Sequence, residues 1–233
     1  MKRVQQKRQK KGLSRILESL NKLGEYLEAS PTRRKRIVLD AKYPEQFITT
    51  RYKEARDAMK VFLVGKKDED YLLEKKKYFE EKKSETDFQE QDNKLSGEAI
   101  QSFLETEMPF TEGTDFIAYT ESKLITIQGV EVSIYPDLIV RKSSGGLVTV
   151  GAIKLHLSKS NNLSEESQKV IAAIICHYVG LHVASKEEPA NNKLCFSFDV
   201  FSKDIECSPT SFKTRMQKIE AACEEIALWW GKL

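Results

Sequence analysis

Apolar residues recur at helical spacing through the first third of the chain and at alternate positions through its middle. Leu13, Ile16, Leu17, Leu20, Leu23 and Leu27 predict an amphipathic helix from residue 13 to about 29, stopping before Ser30-Pro31. Pro44 then suits the first turn of a second helix, in which Phe47, Ile48, Tyr52, Ala55, Met59, Phe62 and Leu63 share one side and Gly65 marks the end. Asp68 is placed to cap a third helix carrying Tyr71, Leu72, Leu73, Tyr78 and Phe79. The polar, glutamine-rich stretch from Thr86 to Lys94 reads as a linker, which divides the chain into a helical region at 1–94 and a second domain at 95–233. Ser96 opens the second domain as N-cap of a helix to Glu107, whose Ile100, Phe103 and Leu104 face a core.

The period changes to two between Lys123 and Lys159, a stretch that reads as three short strands in succession. Val130, Val132 and Ile134 alternate with Glu131, Ser133 and Tyr135, and Val148, Val150 and Ala152 alternate with Leu147, Thr149, Gly151 and Ile153. Ser143-Ser144-Gly145-Gly146 forms the hairpin turn between them. Pro136-Asp137 falls at the end of the middle strand and Lys154 in the third, so an acid and a lysine meet across adjacent strands. Ser164 caps a following helix to about Gly180, with Val170, Ile171, Ile174, Ile175 and Tyr178 on its sheet-facing side. Lys193–Ser202 is a further strand, and Pro209 starts a last helix in which Phe212, Met216, Ile219, Cys223, Ile226 and Trp230 recur.

With 40% hydrophobic and 31% charged residues in a chain of 233, there is enough apolar surface for a core and too much charge for a membrane-embedded protein. No apolar run approaches the ~18 residues of a membrane span, and the basic start MKRVQQKRQKKG has no apolar run behind it, so a cytoplasmic protein without membrane contact is expected. Cys176, Cys195, Cys207 and Cys223 lie too far apart for a zinc motif and read as reduced core thiols.

A net charge of +3 hides an asymmetry: Lys and Arg outnumber Asp and Glu by 13 to 4 over residues 1–42, while acids are in excess in the remainder. Lys7, Arg8, Lys10 and Lys11 belong to one basic cluster and Arg33, Arg34, Lys35 and Arg36 form another. Such clusters bind phosphate backbones through counterion release without regard to sequence. The competing readings are a solvated tail or a contact for an acidic protein. The apolar stripes of the N-terminal helices are expected to pack within the chain, with a protein partner or a second copy as the other use.

Pro136-Asp137, the glycine turn, and a strand carrying Ala152-Ile153-Lys154 before a helix resemble the PD-(D/E)xK nuclease superfamily over Leu95–Leu233. The resemblance implies an α/β, restriction-endonuclease-like mixed sheet flanked by helices, here preceded by an all-helical region. It further implies a Mg2+-dependent nuclease acting on DNA, with processing of foreign DNA, or antiviral defence against it, as the associated role. Asp137 would ligate Mg2+ and Lys154 would orient the attacking water. Glu98 or Glu105 would supply the carboxylate that the first helix contributes in that family, and the main-chain carbonyl of Ile153 a further oxygen.

The chain departs from the family at Ala152, where the pattern has an acid. Glu166, twelve positions after Lys154, matches the restriction nucleases that supply this acid from the following helix. His156 shares the strand face of Lys154 and is positioned to assist. Loss of the acid also admits a module that binds DNA or RNA without cutting it, alone or as a subunit of a larger assembly. A scaffold using only its N-terminal helices is the third reading.

Overall fold

The computed structural model describes residues 20–43, 51–65, 67–121 and 123–233. In chain order the elements are helices α1 (Leu20–Glu28), α2 (Pro31–Lys42), α3 (Lys53–Leu63), α4 (Glu69–Glu81) and α5 (Asp87–Leu104), then strands β1 (Thr114–Ala118), β2 (Lys123–Ile127), β3 (Val130–Ile134), β4 (Leu138–Ser144) and β5 (Leu147–His156). Helix α6 (Glu165–His182), strands β6 (Ala190–Asp199) and β7 (Asp204–Cys207), and helix α7 (Phe212–Lys232) complete it. The fold is mixed α/β, with a helical region ahead of the strands, as the periodicity implied.

Five strands form one sheet in the order β1-β4-β5-β6-β7. All neighbours are antiparallel except β5 and β6, which run parallel with α6 as the crossover between them. Both faces are covered, which explains why the central strands read as nearly continuous apolar runs. Leu138, Val140, Ile153, Leu155, Phe196 and Phe198 point to one face, where α3, α4 and α5 bury Met59, Leu72, Ile100 and Phe103 against them. Ile139, Val150, Ala152 and Cys195 point to the other, under α1, α2, α6 and α7. Adjacent residues on β4 and β5 therefore serve different cores, as the pleat requires. Among the described residues no helix is long and apolar enough to cross a membrane.

Several elements differ from the sequence expectation. The Thr86–Lys94 linker is helical: Thr86 caps α5 by accepting from the Gln89 N–H at 3.2 Å, and the helix runs unbroken across the 94/95 division. Its polar residues mostly occupy the outward side, while Asn93, Ser96, Gly97 and Ala99 are buried, so Ser96 is an interior helical residue and not a cap. Gly97 faces α4, where a Cβ would meet the Lys76 carbonyl and the Phe79 Cβ at an ordinary contact distance of 3.9 Å. Ser30-Pro31, read as a stop, also starts α2: the Ser30 side chain accepts from the Arg33 N–H at 3.4 Å and proline fills the first turn.

The middle strand is in fact two. Pro136-Asp137 separates β3 from β4, and among the described residues β2 and β3 pair only with each other, through a tight turn at Gln128-Gly129, both at positive φ. Asp137 thus immediately precedes β4 instead of ending the strand before it. Edge strands β1 and β7 had no alternating signal strong enough to be read. Helix α3 begins at Lys53, after Tyr52 at φ 61, and the last helix begins at Phe212 and not at Pro209. The expected positions Leu13, Ile16, Leu17, Pro44, Phe47 and Ile48 lie outside the described residues. All four cysteines are free thiols, with Cys195 and Cys223 buried.

Candidate functional site

The β4–β5 register pairs Leu138 with Ile153, so continuing it by one residue sets Asp137 opposite Lys154. The Asp137 N–H donates to the Ile153 carbonyl at 2.8 Å, which extends the ladder past the formal start of β4. Both side chains project to the same face, and the Lys154 Nζ lies 3.1 Å from Asp137 Oδ2. The expected acid–lysine meeting is present. The Asp137 side chain is 5% exposed and that of Lys154 13%, so the pair is largely withdrawn from water.

A third group completes the cluster. Arg56 on α3, 81 residues before Asp137, donates from Nη1 to Asp137 Oδ1 at 3.2 Å and to the Leu155 carbonyl at 3.2 Å. The Leu155 N–H donates to Asp137 Oδ2 at 2.8 Å. The carboxylate therefore receives two cations and one backbone donor. Burial pushes the Asp137 carboxyl up, but the charges of Lys154 and Arg56 and the Leu155 N–H more than reverse this, and it lies below its ordinary value. Burial also drives Lys154 below the usual lysine value, with Asp137 opposing that change while Arg56 and Lys60 add to it. The cluster is an ion-paired one with positive charge in excess.

His156 lies two residues beyond Lys154 and does not touch Asp137's carboxylate. Its Nε2 stands 2.7 Å from the Asn161 carbonyl, which only accepts, so Nε2 carries the hydrogen and Nδ1 accepts from Asn21 Nδ2 at 2.9 Å. This neutral imidazole ties α1 to the end of β5. Burial lowers its pKa from 6.5, against the raising effects of the Asn161 carbonyl and Asp199. An unfolded chain then binds the proton before the folded one does. The stabilising contribution is complete above pH 6.5 and declines as the pH falls from there toward the depressed folded value. Unfolding titrations of wild type and H156Q between pH 7.5 and 5 should show the wild type losing more stability; parallel profiles would remove His156 from this role.

The acids expected to join Asp137 are engaged elsewhere. Glu98 binds the Lys159 ammonium at 2.5 Å on the wall of a groove of about 890 Å3, which none of Arg56, Asp137 or Lys154 lines. Glu105 pairs with Lys203 at 2.6 Å and accepts from Gln101. Glu166 is bonded to Arg215 on α7, and this hydrogen bond holds its carboxyl below the ordinary range. Ala152 is fully buried between Ile139 and Cys195 on the neighbouring strands, so an acid there would enter an apolar layer. Among the described residues no group of three or more His, Cys, Asp or Glu side chains could hold a metal ion.

These residues do not fit Mg2+. That ion demands oxygen ligands at about 2.1 Å in octahedral array, whereas Asp137 presents oxygens already facing Arg56, Lys154 and Leu155. The one group that sequence reasoning missed is Arg56. A single arginine between Ala55 and Asp57 on a surface helix carries no signal in the sequence, and only the packing of α3 beside β5 brings it to the carboxylate.

The second basic cluster is also largely spoken for. Arg33 donates from Nε to Glu25 at 2.7 Å. Arg34 closes the C-terminal end of α1 by donating to the Tyr26 and Leu27 carbonyls at 3.1 and 3.0 Å, and pairs with Glu225 at 3.0 Å. Lys35 lies over the Trp229 ring and Arg36 pairs with Asp40 at 3.0 Å. Arg33, Arg34 and Lys35 tie α2 to α1 and α7, whereas Arg36 pairs within α2, so neutralising all four would test packing as well as phosphate contact. Lys7, Arg8, Lys10 and Lys11 lie outside the described residues. No protein-family model matches this chain, and no curated protein matches it by sequence.

Proposed function

We propose that this protein binds nucleic acid through phosphate contacts on a PD-(D/E)xK nuclease-like framework and does not cut it. The observation that carries this reading is the sharing of one buried carboxylate, Asp137, by two cations, Arg56 and Lys154. Such a cluster has one positive charge more than it neutralises. It sits at the carboxyl end of β5, beside the carboxyl end of the parallel strand β6, where ligand sites of open α/β sheets gather. The basic N-terminal sequence supplies further charge for a polyanion. Cleavage is the second reading, favoured by the Asp137–Lys154 contact itself, since that pair is what the resemblance to the nucleases rests on.

One assay separates them. Purified full-length protein is incubated with single-stranded DNA, duplex DNA and RNA, with Mg2+ or Mn2+ present. Binding should weaken linearly on a plot of log K against log salt, with a slope set by the number of phosphates contacted. No cleavage should exceed that of K154A. Metal-stimulated cleavage by the wild type that K154A lacks would establish the nuclease instead, and absence of binding at low salt to any of the three polymers would remove the nucleic-acid reading.

A further inference from the structure

We propose that Arg56 takes the place of a divalent cation, so that the site binds a phosphate group between the Arg56 guanidinium and the Lys154 ammonium with no metal present. This rests on the nucleic-acid reading above and adds the identity of the anchoring group. Arg56 uses only Nη1 for Asp137 and the Leu155 carbonyl; among the described residues its Nε and Nη2 donors have no protein acceptor. The side chain is 27% exposed, and neither Nε nor Nη2 is among the buried polar atoms left without a partner, so this free edge of the fork reaches solvent. Among the described residues Lys154 has a single acceptor, Asp137, and an ammonium carries three hydrogens.

The charge balance points the same way. Two cations face one carboxylate, and Lys60, one turn beyond Arg56 on α3, adds to the positive potential at Lys154 even though it also pairs with Asp57 at 3.7 Å. Arg56 and Lys154 repel each other across Asp137, and an anion seated against both would relieve that repulsion. A guanidinium edge matches two phosphate oxygens at once, a geometry that an ammonium cannot reproduce. The same groups explain why Mg2+ finds no place: the guanidinium already neutralises the carboxylate that would otherwise ligate it.

The test measures binding of fluorescent single-stranded DNA and RNA to the full chain by anisotropy, in EDTA and in Mg2+. Wild type should bind equally within about twofold in the two buffers. R56Q should bind at least tenfold more weakly, and R56K, which keeps the charge and loses the fork, should fall between. K77Q on the exposed side of α4 removes one surface charge and should change affinity less than twofold. A requirement for Mg2+ would overturn the proposal. So would R56Q binding as tightly as wild type, and in that case the nucleic-acid reading would stand without it.

A second measurement needs no variant. Inorganic phosphate titrated into isotope-labelled wild type in EDTA should shift the Arg56 Nε–H resonance saturably. No saturable shift overturns the proposal. A shift at Arg56 in a protein that binds neither polymer would support the anion site while removing its nucleic-acid ligand.

Discussion

Replacing Asp137 with alanine is expected to lower the unfolding free energy by about 3–5 kcal/mol, the cost of breaking a buried ion pair from one side. The substitution leaves Arg56 and Lys154 facing each other with no carboxylate between them, and strips the Leu155 N–H of its acceptor. Asparagine at the same position keeps an oxygen for Leu155 and should lose less. The repulsion account makes a further demand: D137A/K154M should recover part of the loss, because methionine fills the volume of the lysine without its charge. Urea denaturation of the four proteins at pH 7 decides the matter. If D137A unfolds at the wild-type midpoint, the cluster contributes nothing to the fold and Arg56 is not held by it.

Gly151→Ala should be nearly as damaging, for a steric reason unrelated to charge. A Cβ built on Gly151 would stand 2.1 Å from the Leu194 carbonyl oxygen and 2.3 Å from its carbon, both backbone atoms that no rotamer change can move. This is the point where the β5–β6 register shifts, between Val150 and Ala152. The two strands approach too closely there for any side chain. Relief requires prising β6 away from the central strand, and the cost should reach about 3 kcal/mol, the upper end of ordinary overpacking. Because Ala152 and Lys154 follow directly on β5, the same variant should also disturb the Asp137–Lys154 contact. Thermal melting is the first measurement. A wild-type melting temperature for G151A would mean that the strands separate there at little cost.

The groove between α4 and α5 offers a contrast with the Asp137 cluster. Four lysines line it, of which Lys76, Lys82 and Lys159 are paired with Glu80, Glu54 and Glu98, and its chemistry is mixed. What singles out the Arg56 site is a carboxylate only 5% exposed that two cations share.

The repeating positions of apolar residues were enough to determine most of the elements behind this site. Alternation at Leu147–Leu155 specifies a strand because a pleat turns successive side chains to opposite faces. The spacing in α6 and α7 specifies helices for the corresponding reason. Asp137 and Lys154 could be placed together because a hairpin relates two strands through local register alone. Where two local codes overlap, the pattern was insufficient. Pro31 is compatible with ending one helix or beginning another, and the polar run before Lys94 suits either a linker or the outer face of a helix. The choice was made by burial of Asn93, Gly97 and Ala99, with Gly97 set against Lys76 and Phe79 of α4, a contact that does not exist until both helices pack.

Whether Asp137 would face a metal or a guanidinium lay beyond any local pattern. Arg56, Asp137 and Lys154 are joined by packing α3 on one face of a sheet formed much later in the chain. The resemblance made Glu98, Glu105 and Glu166 candidate ligands, and the structure pairs them with Lys159, Lys203 and Arg215. Sequence determined which groups could carry charge into the interior; only the tertiary structure decided which would share a low-dielectric space, and there opposite charges a few ångströms apart outweigh any preference written along the chain.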